Sequence, residues 1–153
     1  MTRDVYLISY DSPLFPAHWS LWVPLATEPT LGKRIHVAGD AFTGFVHEFA
    51  RQYSIASTAR KHTLVFLAQV QDIHVGDVID REGCDNEPVD DIERAALSVP
   101  APGKSLNVTG AERMNKVHIL NCQTWMFQFI EALIAADILL ESALEVPQKA
   151  PRN

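Results

Sequence analysis

The sequence is short of positive charge, and this shortage narrows the partners that we expect. Lys and Arg number 13 against 19 Asp and Glu, which gives a formal net charge of −6 with the six histidines counted as neutral. Nucleic-acid-binding proteins neutralise phosphates with clustered Lys and Arg. We therefore expect no nucleic-acid partner, and a small molecule or a peptide as the substrate or ligand.

Long hydrophobic runs are also missing. The opening stretch MTRDVYLISYDSPLF has neither the apolar core nor the small-residue cleavage site of a secretory signal. The longest apolar tract, residues 125–140, is interrupted by Gln128, Glu131 and Asp137 and is too short to span a bilayer. These absences favour a cytoplasmic protein with no integral membrane association.

Cysteine is scarce, which argues against a disulfide framework. The chain has two, Cys84 and Cys122, and a cytosolic protein keeps such thiols reduced. Acidic neighbours make Cys84 an incidental surface thiol in our interpretation. The histidines show no H-x-x-x-H or C-x-x-C-like spacing, so we expect no metal and no cofactor.

What the sequence does contain predicts one α+β domain over residues 1–153. Segments rich in β-branched and aromatic residues alternate with turn residues and predict an antiparallel sheet of about five strands. The strands are predicted at residues 5–10, 18–23, 33–38, 42–50 and 62–70.

The second half of the chain is predicted to be helical and to pack against this sheet. Asp90 and Glu93 form a capping pattern before a short helix. Helices are predicted at residues 92–98, 111–118, 122–136 and 138–146, the last ended by Pro147.

Cys122 stands at the first turn of the predicted helix 122–136, where a thiol has a chemical advantage. Unpaired N–H groups and the helix dipole stabilise a thiolate there, and the same N–H groups can donate to an oxyanion. The apolar stripe of this helix includes Cys122, so the alternative interpretation is a small buried core residue.

His18 and His36 are the candidate partners of this thiol. A cysteine nucleophile needs an imidazole base and a second polar group that fixes the tautomer of that base. Neighbouring antiparallel strands would place His18 and His36 side by side, facing a helix packed on the sheet. The alternative is that both are structural histidines of the strands.

The segments AHWSLWV, KRIHVAG and NCQTWMFQF, in this order, resemble the circularly permuted papain-like superfamily. That superfamily includes lecithin:retinol acyltransferase, NlpC-type hydrolases and PPPDE-type peptidases. The resemblance implies a permuted papain-like fold in which His18 is the general base, His36 its orienting partner and Cys122 the nucleophile. The implied function is a thiol-dependent hydrolase or acyltransferase acting on an ester, thioester or amide.

Five positions near these residues are the candidate substrate-binding set. Tyr10 and Ser12, at the end of the first strand, would act as polar helpers, and Trp19 and Trp125 would line an apolar pocket. Gln123 stands where the acyltransferase branch usually has an acidic residue, which leaves the substrate class open.

The stretch YDSPLFPAHWSLWVP also resembles small fungal proteins associated with natural-product biosynthesis. That resemblance implies a tailoring isomerase or cyclase, for example for an epoxide rearrangement, which would use the same His and Cys groups for proton transfer. A third possibility is a non-catalytic binding module on this scaffold. Replacement of Cys122 would separate the two enzymes, because only acyl transfer requires the sulfur, whereas a binding module predicts neither covalent labelling nor turnover.

Overall fold

The structure is a computed structural model that describes residues 1–12, 16–40, 43–80, 82–103 and 121–152. The predicted helical turns at residues 111–118 and the predicted strand start at Phe42 lie outside these residues. The strands are β1 (Thr2–Tyr10), β2 (His18–Pro24), β3 (Leu31–Asp40), β4 (Gly44–Ser54), β5 (His62–Gln71) and β6 (Gly83–Asp85). The helices are α1 (Asp91–Ser98), α2 (Cys122–Ala135) and α3 (Glu145–Lys149), with 3-10 turns at Asp72–His74 and Glu141–Leu144.

The six strands form one open sheet in the order β5-β1-β2-β3-β4-β6, and all neighbouring strands are antiparallel. The predicted α+β class and the antiparallel sheet are confirmed, and the sheet has one strand more than we predicted. No helix among the described residues is long and apolar enough to cross a membrane.

The main core lies between one face of the sheet and α2. Because strand side chains alternate between faces, Trp19, Leu21 and Val23 of β2 contact the helices, whereas Trp22 belongs to a small cluster on the other face. From α2 the core receives Trp125, Met126, Phe129, Ile130 and Leu133, which follow the predicted helical stripe.

Both ends of α2 are capped by the local sequence. The Asn121 side chain accepts hydrogen bonds from the N–H groups of Gln123 and Thr124, at 2.9 and 3.1 Å. At the other end Asp137 adopts a left-handed conformation with φ of 61°. The N–H of Asp137 donates to the carbonyl of Ile134, and the N–H of Ile138 donates to the carbonyl of Leu133. This pair of hydrogen bonds is the Schellman motif that ends a helix.

The prediction for the last helix was wrong in its bounds. We expected residues 138–146 to be helical up to Pro147, but α3 runs from Glu145 to Lys149 and contains that proline. Pro147 lies in the first turn of α3, where its missing N–H has no intrahelical acceptor to lose.

A buried ion network fixes α1 beneath β3 and β4. Asp90 caps α1 by accepting the Glu93 N–H at 2.8 Å, which confirms the predicted capping pattern. Glu93 Oε2 accepts from Lys33 Nζ and from Arg51 Nη1, each at 2.5 Å, and Lys33 also pairs with Asp90. Arg51 reaches Asp85 of β6 at 2.8 Å, so the network also holds the edge strand that sequence reasoning missed.

A β-bulge in β4 changes which face its side chains occupy. Two residues, Arg51 and Gln52, stand opposite Lys33 alone, and Gln52 has a positive φ of 52°. Arg51 faces α1 by alternation with Phe49, whereas Tyr53, beyond the bulge, turns to the opposite face and joins the cluster that contains Trp22.

Candidate functional site

A chain of hydrogen bonds crosses three strands on the sheet face opposite α2. His18 Nε2 lies 2.6 Å from His36 Nδ1, and His36 Nε2 lies 3.0 Å from Glu48 Oε1. The pairing of β3 with β4 sets His36 directly opposite Glu48. Ser20 Oγ, on the same face of β2, lies 3.1 Å from His36 Nδ1.

The acceptor at the end of this chain assigns the imidazole tautomers. Glu48 can only accept when ionised, so His36 Nε2 carries a proton and donates it to the carboxylate. In neutral His36 the other nitrogen, Nδ1, is then an acceptor, and it receives the Nε2–H of His18. His18 is left with a lone pair on Nδ1, and no described residue hydrogen-bonds to that atom. An unprotonated nitrogen of this kind can accept a proton as a general base.

Both histidines are held in the neutral form. Burial, followed by the electrostatic effects of His36, Arg34 and Arg60, lowers the pKa of His18 to about 3. Burial and Arg34 also lower the pKa of His36, against the opposing effect of Glu48. The hydrogen bond from His36 in turn lowers the pKa of Glu48. The site therefore holds one carboxylate and two uncharged imidazoles.

An open cavity of about 840 Å³ adjoins this chain on the same sheet face. His18 and His36 line it, together with two tyrosines whose hydroxyl oxygens are 2.8 Å apart, Tyr10 and Tyr53. The Tyr10 ring lies 5.7 Å from the His18 ring, measured between centroids. The remaining walls of the cavity include Arg34, Ser57, Thr58, Arg60, Glu82 and Cys84.

Cys122 starts α2, as predicted, but on the other side of the β2 backbone from the cavity. It is 8% exposed and does not line the cavity. Its thiol lies 3.8 Å from the carbonyl oxygen of Ala17, the residue that precedes His18. Among the described residues it makes no hydrogen bond to either imidazole.

The surroundings of this thiol act on its pKa in opposite directions. Burial raises the pKa of Cys122, and this effect outweighs the N–H groups of Trp19, Cys122 and Gln123, which face the sulfur and lower it. The resting group is consequently a neutral thiol that has donors for a thiolate or an oxyanion beside it.

The predicted substrate-binding positions fall into two groups. Tyr10 lines the cavity, whereas Ser12 follows β1 and is not part of the cavity lining. Trp19 and Trp125 are fully buried and donate their indole N–H groups to the carbonyls of Pro151 and Val99. Gln123 is also buried.

Gln123 and the C-terminal segment hold the start of β2 in place. Its Nε2 donates to the carbonyls of Ala17 and Arg152, at 2.9 and 3.1 Å. The Arg152 carbonyl also accepts from the Ala17 N–H at 2.7 Å. These contacts give Gln123 a structural task next to Cys122, and its contact with substrate stays a prediction.

Sequence reasoning missed several groups of this site. Glu48 belongs to no motif, and its alternation with Phe49 is the available signal for its face. Cys84 is exposed, as expected, but it lines the cavity, where burial and the charge of Glu48 raise its pKa. Arg34 and Arg60 carried no motif at all. Within the described ranges, no three His, Cys, Asp or Glu side chains are arranged to hold a metal ion.

Comparisons with known proteins place the chain in a family. Neither the curated proteins nor the solved structures include a match to this sequence. A family model, described as a family of unknown function (DUF6540), matches residues 5–140. That span covers most of the 153 residues and includes His18, His36, Glu48 and Cys122, so the chain belongs to the DUF6540 family.

Proposed function

We propose that the protein is a thiol-dependent hydrolase or acyltransferase in which His18 activates Cys122. The observation that carries the proposal is the chain from Glu48 through His36 to His18, because it fixes the tautomer that leaves Nδ1 of His18 as a base. The resemblance to the permuted papain-like superfamily implies the same roles of base and orienting partner for these two histidines.

The position of the sulfur supports this pairing. The Cys122 thiol contacts the carbonyl before His18, and the Trp19 N–H after His18 also faces it. Cys122 and His18 lie on opposite sides of the β2 backbone at rest, so attack requires release of the thiol from Ala17 and a shift of the start of β2 that brings His18 Nδ1 within reach of the sulfur. His18 Nδ1 then takes the thiol proton as the sulfur adds to an ester, thioester or amide carbonyl.

The remaining steps follow from groups on the same elements. The N–H group of Cys122 donates to the oxyanion of the tetrahedral intermediate, since that of Gln123 is already bonded to Asn121. Protonated His18 returns its proton to the departing alcohol, thiol or amine, which leaves an acyl group on Cys122. Water or a second nucleophile, deprotonated by His18, then releases the acyl group and restores the thiol.

Acylation of the sulfur is the direct test. We expect short-chain p-nitrophenyl esters to leave an acyl adduct that peptide mass spectrometry locates on Cys122. General base catalysis typically contributes about 10² to 10⁴ in rate, so His18→Gln should slow acylation by at least roughly 100-fold. Cys84→Ala is the matched control, since it removes the other thiol and should leave the adduct on Cys122 unchanged.

A second candidate is a cofactor-free isomerase or cyclase that uses His18 for proton transfer. It is favoured by the cavity, which is lined by His18, His36 and Tyr10 but not by Cys122. Activity that persists in Cys122→Ala and disappears in His18→Gln would select this candidate and exclude the acyl-enzyme. If the wild-type protein shows neither turnover nor adducts, both enzyme candidates are excluded and the hypothesis of a non-catalytic binding module stands.

A further inference from the structure

The cavity beside His18 concentrates positive charge, although the chain as a whole is acidic. Arg34 and Arg60 both line it, against a formal net charge of −6 for the protein. A third lining residue, Arg51, is already paired with Glu93 and Asp85. Glu82 is the acidic residue of the described lining, and it is exposed. The two remaining guanidinium groups therefore dominate the charge of this cavity.

Arg34 retains an unused donor. Its Nε is buried and has no hydrogen-bond partner among the described residues, and a buried donor without an acceptor is costly. Its Nη2 is 3.4 Å from Glu48 Oε1, a long contact to a carboxylate that also accepts from His36 at 3.0 Å. Arg34 is thus incompletely neutralised by the groups around it.

Arg60 has still weaker contacts. Within the described part of the chain it forms no ion pair, and its Nη2 is 3.5 Å from the carbonyl of Asp11. The guanidinium lies over the Tyr10 ring, 5.3 Å from the centroid, and that of Arg34 lies over the Tyr53 ring at 4.4 Å. The two arginines consequently flank the pair of tyrosine hydroxyls.

This arrangement has the components of an anion site. Two guanidinium groups can each donate to a carboxylate or phosphate oxygen, and the hydroxyls supply further donors. Burial and the hydrogen bond with Tyr53 raise the pKa of Tyr10 to about 12, so that hydroxyl keeps its proton at neutral pH. The Tyr10 ring is also the neighbour of His18, so an anion held here lies beside the base.

We propose that the cavity binds a substrate through a compact oxyanion, a carboxylate or a phosphate group, which Arg34 and Arg60 hold next to His18. The reacting carbonyl of such a substrate would then face the imidazole; this part rests on the proposed function, whereas anion binding itself does not. A bound anion offsets the two positive charges that act on His18 and raises its affinity for a proton. Substrate binding would thereby strengthen the base.

Binding can be measured without turnover in the Cys122→Ala protein. The probes are benzoate, phenyl phosphate and the neutral isostere benzamide, titrated at low ionic strength and followed by calorimetry and by the imidazole NMR signals. We expect benzoate or phenyl phosphate to bind, to shift the His18 signals and to raise the His18 pKa, and benzamide to do neither. The tighter of the two anions identifies the group as carboxylate or phosphate.

Charge-removing variants locate the anion. A charge-assisted hydrogen bond corresponds to roughly tenfold or more in affinity, so Arg60→Gln should weaken anion binding by at least about that factor. Arg94→Gln is the matched control, because Arg94 is exposed on α1 and pairs with Asp91. Arg34→Lys keeps the positive charge but loses the paired N–H donors of the guanidinium group. Its affinity for the anion should lie between that of Arg60→Gln and that of the unchanged protein.

The outcomes separate this inference from the proposed function. Equal binding of benzamide and benzoate, or undiminished anion binding in Arg60→Gln, overturns the anion site. Arginine-dependent anion binding by a protein that forms no acyl adduct would uphold the anion site and refute only the acyl-enzyme.

Discussion

Replacement of Glu93 by Gln removes one charge from the buried network that fixes α1 to the sheet. The Glu93 side chain is 0% exposed, and its Oε2 is the shared acceptor of Lys33 and Arg51, which are 3% and 1% exposed. Gln fills nearly the same volume, so the change tests charge rather than packing. It leaves two buried cations with one carboxylate fewer, and its amide group offers donors where acceptors are needed.

The expected cost follows from the burial of all three side chains. Removal of one partner from a buried ion pair typically costs about 3–5 kcal/mol, because the remaining charge is uncompensated. For a domain of about 150 residues each kcal/mol shifts the unfolding midpoint by roughly 2–4 °C, so a fall of roughly 6–20 °C is expected. Urea unfolding followed by tryptophan fluorescence gives the free energy directly.

Glu131→Gln provides the comparison, because Glu131 is exposed on α2. A change at an exposed site of this kind is expected to stay within about 0.5 kcal/mol. If Glu93→Gln also stays below about 1 kcal/mol, the reasoning is refuted, since Glu93 would then have to be uncharged or hydrated in the folded protein.

Two further predictions concern pH and the end of α2. The pKa of His18 is lowered to about 3 and that of His36 is also lowered, so the unfolded chain binds more protons than the folded one below about pH 6.5. The contribution of the two histidines to the free energy of unfolding is therefore fully present above that pH. It is lost as the pH falls, by up to about 1.4 kcal/mol per pH unit for each histidine. An unfolding free energy that is constant from pH 7 to 5 would contradict this prediction. Asp137 has a left-handed backbone, so Asp137→Gly should raise the free energy of unfolding in urea by about 1 kcal/mol while Asp137→Ala should not. Equal effects of the two substitutions would exclude backbone strain as the cause.

Local patterns were sufficient for most of the fold. Five strands were predictable because β-branched and aromatic segments alternate with turn residues, and α2 because its apolar stripe follows helical spacing. The capping pattern of Asp90 and Glu93 is equally local. In contrast β6 has three residues, Gly83–Asp85, and no alternation. It exists because Arg51 and the edge of β4 pair with it, and such pairing is a tertiary effect.

The part of the candidate site that could be predicted from the sequence is the contact between side chains on neighbouring strands. His18 and His36 were expected side by side, and they are in contact at 2.6 Å. The expectation that they face a helix fails, because they alternate with Trp19 and Ile35, which occupy the helix side. Tyr53 faces the cavity as a result of the bulge at Gln52, and no residue pattern in β4 marks that bulge.

The resting charges of the site bear on how the proposed reaction begins. A thiolate and imidazolium pair formed before substrate binding would place two charges in surroundings that raise the pKa of Cys122 and lower that of His18. Under the proposed mechanism proton transfer must therefore accompany attack on the carbonyl, when the N–H group of Cys122 donates to the developing oxyanion. An anion between Arg34 and Arg60 favours the same step, because it reduces the positive potential that opposes protonation of His18. Free Cys122 should then react slowly with iodoacetamide at neutral pH, even in a protein that is readily acylated by a well-bound ester.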